Sequence, residues 1–131
     1  MNMRARHRAL LAIALLPVLG AGLPVRAADA DRASTLCGWF DNPTPGNAWL
    51  TDRDGEWTLG TQGGAQAEGD WPAFAANRWV ETNGAHGHGC ACLRVVADRD
   101  AREIRRILAA WSRPLSACRQ DRHLVGKEPG P

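Results

Sequence analysis

The sequence contains no tyrosine and only two phenylalanines in 131 residues. It also lacks Gly-x-Ser-x-Gly, His-Glu-x-x-His and a phosphate-cradling glycine loop. Those absences remove the hydrolases and nucleotide-binding enzymes that such signatures mark. No apolar run reaches the roughly 20 residues of a membrane span. The longest, from Ala9 to Leu23, is interrupted by Pro17 and Gly20. It follows Arg4, Arg6 and Arg8 and precedes the small residues around Val25-Arg26-Ala27. That arrangement predicts a secretory signal peptide over 1–27 and no membrane span once it is removed.

A surplus of charge is missing as well. The chain has 16 basic and 14 acidic residues. The leader holds four of the arginines (Arg4, Arg6, Arg8 and Arg26) and no acid, so 12 basic residues face 14 acidic ones after it, net −2. A domain near neutrality, whose basic residues cluster only around 99–106, does not suit nucleic acid.

What is present is cysteine, tryptophan and glycine. The four cysteines are Cys37, Cys90, Cys92 and Cys118. In an exported chain they read as two disulfides. Cys90 and Cys92 stand two apart on an expected strand, about 6.6 Å along it. Bridged Cβ atoms lie only roughly 3.5–4.5 Å apart. Each therefore pairs with Cys37 or Cys118, in an order the sequence leaves open. The same segment, His86-x-His88-x-Cys90-x-Cys92, holds only good metal ligands. Spread over about 20 Å of strand, they do not reach one ion. Metal binding through His86 and His88 is kept as an alternative reading, and no cofactor is expected.

Hairpin signals dominate the pattern. Ala48-Trp49-Leu50-Thr51 and Glu56-Trp57-Thr58-Leu59 flank Asp52-Arg53-Asp54-Gly55. Trp79-Val80-Glu81-Thr82 leads into the turn dipeptide Asn83-Gly84, and a strand follows over 88–96. On that strand His88, Cys90, Cys92 and Arg94 share one face, and Ala91, Leu93 and Val95 the other. Trp71-Pro72-Ala73-Phe74 reads as one helical turn capped by Asp70. Ile104, Ile107, Leu108 and Trp111 fall at helical spacing, so a short helix is expected near 100–111. The rival is a hairpin that turns at 98–102. The fold expected is mainly β, a small α+β domain at most. Short antiparallel hairpins form one disulfide-stapled domain over 36–122, after a flexible lead-in at 28–35 and before a disordered tail at 123–131.

Trp39, Trp49, Trp57, Trp71, Trp79 and Trp111 are many for this length. Large rings fill a thin core economically, and some can also stack a sugar or grip a protein. Trp39 and Trp57, with Asn42, Asn47, Thr61 and Gln62, are the expected binding residues. Asp41, Asp52, Asp54, Glu56, Glu68 and Asp70 are numerous enough to supply an acid–base pair.

Cys37-Gly38-Trp39-Phe40-Asp41-Asn42-Pro43-Thr44-Pro45-Gly46-Asn47, Asp54-Gly55-Glu56-Trp57, Thr61-Gln62-Gly63-Gly64, Gly89-Cys90-Ala91-Cys92 and Pro114-Leu115-Ser116-x-Cys118 together resemble a family of small exported bacterial proteins known only as a domain of unknown function. The resemblance spans nearly all of 36–122. It implies a single exported domain with these four cysteines and no assigned activity. The expected function is therefore non-catalytic binding of an envelope protein or glycan, such as inhibition of a cell-wall hydrolase. The setting is the periplasm or the exterior, and the protein is a monomer. The alternatives are a small glycan hydrolase with paired carboxylates and a periplasmic metal-handling protein.

Overall fold

A computed structural model describes residues 32–131, so the expected signal peptide and residues 28–31 lie outside it. Six strands and one short helix follow in order. They are β1 (Ser34–Thr44), β2 (Asn47–Asp52), β3 (Gly55–Gly60), β4 (Trp79–Asn83), β5 (His86–Asp98), β6 (Glu103–Arg113) and α1 (Leu115–Arg119). A 3-10 turn, Ala76–Arg78, precedes β4. The mainly β, two-disulfide fold is as the sequence predicts.

The strands close on themselves. β1 pairs with β2 along one edge and with β5 along the other. β2 pairs with β3, β3 meets β6 in parallel, and β6 returns antiparallel to β5. β4 continues the line of β6 along β5, through pairs such as Trp79 with Gly89. With β4 set aside, this is the strand order of an OB-type barrel. The parallel seam is thin, a single Thr58–Glu103 pair. Residues 66–68 thicken it: Ala67 N donates to Leu59 O (2.7 Å), and Glu68 exchanges bonds with Arg105 (3.0 Å) and Ile107 (2.7 Å).

Period-two alternation decides what fills the barrel. Leu36 and Phe40 of β1, Leu50 of β2, Trp57 and Leu59 of β3, Leu93 and Val95 of β5, and Ile104 and Ile107 of β6 form the interior. The intervening residues of β1 and β5 face outward, as expected for Cys90 and Cys92. There Trp39 and Cys90 make a second small core with Cys118 and Leu124. The segment after β6 is strapped across this outer face.

The disulfides resolve as Cys37–Cys92 and Cys90–Cys118. The first links directly opposed residues of β1 and β5. The second ties α1 to β5. Residues 123–131, expected to be a disordered tail, contribute the buried Leu124 and polar contacts from Lys127 and Glu128.

Two local expectations are corrected. The short helix expected near 100–111 is instead strand β6, and a short helix falls just after it, at α1. Two bulges explain the misleading period. Val96 opposes Arg106 but Ala97 opposes Ile104, and Arg94 opposes Ala109 but Val95 opposes Ile107. Arg105 and Leu108 are thus extra residues, so the inward positions fall three apart at 104, 107 and 110. That spacing imitates a helix. Residues 71–74 likewise form no helical turn; the helical turn falls at Ala76–Arg78.

Candidate functional site

The β1–β2 hairpin turns through residues 43–46 at one end of the barrel, with Pro45 exposed and its neighbours half-buried, and side chains from several elements fix it in place. Asn42 Nδ2 donates to the carbonyls of Thr44 (2.9 Å) and Asn47 (2.6 Å). Its Oδ1 is left as an acceptor, and His86 Nδ1 donates to it at 3.1 Å. Asn47 Nδ2 donates to Thr44 Oγ1 (2.6 Å), while its Oδ1 accepts from the Gln62 amide (2.8 Å). Gln66 Nε2 donates to the carbonyls of Gly46 (2.8 Å) and Thr61 (3.0 Å). Asn83 Nδ2 reaches the Pro43 carbonyl at 3.1 Å. Pro43 and Pro45 fix two φ angles within the same tip. A turn at the end of a barrel can leave its carbonyls to water. Here protein donors meet those of Pro43, Thr44 and Gly46, and the tip is held in one shape.

Four of the expected binding residues, Asn42, Asn47, Thr61 and Gln62, therefore converge at this tip, as its scaffold. Trp39 and Trp57 do not join them. Trp39 is 1% exposed beneath the C-terminal strap, and Trp57 is 3% exposed in the barrel. Neither ring offers an open stacking platform. The signal for the tip was in the sequence as a run of Asn, Pro and Thr; its dependence on Gln66, Asn83 and His86 was not.

His86 and His88 separate. His86 bonds to Asn42, whereas His88 lies buried against Trp39, edge to face at 5.5 Å. All four cysteines are bridged and offer no thiolate. Among the described residues no three His, Cys, Asp or Glu side chains gather as a metal cluster.

His88 stands between two carboxylates that are shifted in opposite directions. Its Nε2 donates to Glu128 Oε1 at 3.2 Å, and Arg119 Nη2 grips the same oxygen at 2.8 Å. The Arg119 guanidinium, helped by His88, holds the Glu128 carboxyl below its ordinary range. Asp41 faces His88 across the β1–β5 ladder. Burial pushes the Asp41 carboxyl up; Glu56 adds to this and His88 opposes it. Asp41 and Glu56 share the outer face of β1 and β3, where Asp41 opposes the half-buried Trp49 of β2 and Glu56 opposes Thr51. Asp52 Oδ1 accepts from the Asp54 amide, and Glu68 pairs with Arg106.

The opposite end of the barrel carries the β2–β3 and β5–β6 turns. An open cleft of about 370 Å³ lies between them, lined by Asp54, Trp57, Arg99 and Arg102. A second cleft of about 360 Å³ shares Asp54 and Arg99 and runs to Ser34, Asp121 and His123. Arg102 has φ +55°, the only positive φ outside glycine among the described residues. Such a backbone costs on the order of 1 kcal/mol. It places the guanidinium 5.0 Å from the centre of the Trp57 ring, within cation–π range.

Comparison with known proteins adds one match. A family described as a protein of unknown function, DUF4087, matches residues 31–125. No curated protein and no solved structure matches the chain.

Proposed function

This chain thus belongs to DUF4087, a family without an assigned activity, and we propose that it is an exported binding protein that grips a protein of the cell envelope with its β1–β2 tip. The observation that carries this reading is the polar lattice around residues 43–46. A loop already ordered before binding loses less conformational entropy on association. The tip carries no charge, and its Pro-Thr-Pro-Gly sequence is narrow. A narrow, rigid turn with Pro45 exposed at its apex suits a concave cleft, and the substrate cleft of a cell-wall hydrolase has that shape. Inhibition of such an enzyme is the activity that follows. Export is supported by the signal-peptide pattern over 1–27 and by the two disulfides, which persist in oxidising compartments such as the periplasm or the exterior.

A second reading, glycan hydrolysis, has one observation in its favour: the raised Asp41 carboxyl on the same face as Glu56. It would need these groups held about 5–9.5 Å apart around a bound sugar.

The test is binding to a panel of lysozymes and other cell-wall hydrolases, and to soluble peptidoglycan fragments, followed by tryptophan fluorescence and by lytic activity. Micromolar or tighter binding to a hydrolase is expected, weakened roughly 100-fold by Thr44→Arg at the tip. Binding unaffected by that substitution, or no binding to any member, overturns the reading. Hydrolysis of the fragments, abolished by Asp41→Asn, would favour the second one.

A further inference from the structure

At the far end of the barrel from the tip, opposite charges face one cleft without meeting. Asp54 comes from the β2–β3 turn, and Arg99 and Arg102 from the β5–β6 turn. Among the described residues, no ion pair or hydrogen bond engages the Asp54 carboxylate or the Arg99 guanidinium. Each turn is fixed by its own hydrogen bonds, and one bond ties the β5–β6 turn to β3.

Those bonds are specific. Asp52 Oδ1 accepts the Asp54 amide at 2.8 Å, and Lys127 Nζ donates to the Asp52 carbonyl at 3.2 Å. Asp98 Oδ1 accepts the Ala101 amide at 3.0 Å. The Arg102 carbonyl accepts from Thr58 N at 2.9 Å, so its left-handed backbone is anchored to β3. Gly55 turns the chain beside Arg102 at φ +125°, and even a Cβ there would only touch Nη1, at 3.4 Å. The guanidinium carbon lies 5.0 Å from the centre of the Trp57 ring, and among the described residues no hydrogen bond engages its N–H groups. A planar donor edge of that kind matches a carboxylate. At about 370 Å³ the cleft is at the small end of ligand sites.

We propose that this cleft binds a small zwitterion, a free amino acid or a dipeptide, whose ammonium meets Asp54 and whose carboxylate meets Arg99 and Arg102. The Arg102 side chain, lying over Trp57, forms the floor for the atoms between the two charges. The neighbouring cleft, which shares Asp54 and Arg99, leaves space for a longer peptide to continue towards Ser34 and Asp121. The site is independent of the tip, because the two lie at opposite ends of β2.

The experiment is calorimetric titration of the mature chain with alanine, alanyl-alanine, N-acetyl-alanyl-alanine and alanyl-alanine amide. The dipeptide is expected to bind, and each capped form to bind at least about tenfold more weakly. Binding of alanine as tightly as the dipeptide assigns the site to free amino acids. Asp54→Asn should abolish the preference over the acetylated form only. Arg99→Gln with Arg102→Asn should abolish the preference over the amide only; asparagine tolerates the left-handed backbone at 102. Melting temperatures of the variants confirm that each is folded. Equal affinity for all forms, or no binding at about 10 mM to the folded protein, overturns the proposal.

Discussion

Asn42 and Asn47 are bonded across the hairpin that both belong to: Asn42 Nδ2 donates to the Asn47 carbonyl at 2.6 Å. The same amide group holds the Thr44 carbonyl and accepts from His86. One side chain therefore joins both arms of the tip to the start of β5. Asn42→Ala is expected to cost about 1–3 kcal/mol in chemical denaturation, since carbonyls and an imidazole lose their partner. Exchange of the Thr44 and Gly46 amides should quicken well beyond that of the β5 amides. Equal acceleration throughout the barrel would show that Asn42 serves global stability alone.

The strap over the outer face depends on Cys118. The Cys90–Cys118 bridge spans 28 residues of sequence. Loop entropy makes its contribution about 3–4 kcal/mol. Replacing both cysteines with alanine should release residues 115–128 and uncover Trp39 and Cys90's position on β5. A red shift in tryptophan emission checks this. An unshifted spectrum would mean that Leu124, Lys127 and Glu128 hold the strap unaided.

The two carboxylates beside His88 should oppose each other as pH changes. The folded-state Glu128 carboxyl is lowered, so its stabilising effect is present at neutral pH and is lost as pH falls through its range. Glu128→Gln should therefore weaken the fold at neutral pH and matter little in strong acid. Asp41 is raised above 3.8, so its ionised form costs stability, increasingly as pH climbs past that value. Asp41→Asn should stabilise at neutral pH, and the gain should vanish in acid. Melting temperatures of both variants across pH 2–8 separate the two, and parallel curves would contradict the assignment.

Gly89 is required by packing. A Cβ there would stand 2.5 Å from the Phe74 ring and 2.8 Å from the Arg78 carbonyl. Phe74 itself packs against Phe40 and Trp79 at the barrel wall. Gly89→Ala is expected to cost about 1–3 kcal/mol from overpacking, read as a lower midpoint in urea. No change would mean that the loop bearing Phe74 yields freely.

Much of this barrel was legible in the sequence. Alternation sorted Ala91, Leu93 and Val95 from His88, Cys90 and Cys92, and Gly55 and Gly84 marked turns where φ is indeed positive. β6 was not legible, because Arg105 and Leu108 are bulge residues whose insertion gives the inward side chains a helical period. Disulfide pairing was open because it depends on register between strands 55 residues apart. At the candidate site, Asn42 and Asn47 betrayed a fixed turn through their type alone. Gln66, Asn83 and His86 join them only through tertiary contact, which no local pattern encodes. Trp39 and Trp57 misled for a related reason: a polar neighbourhood in sequence does not decide which side of a strand is covered by a distant segment.

The claim that most needs measuring is that the tip is rigid before any partner arrives. Backbone ¹⁵N relaxation of the free protein reports it directly at Thr44, Gly46 and Asn47. Order parameters of about 0.85, equal to those of β5, are the expected result, and values below about 0.6 would contradict a pre-formed contact element.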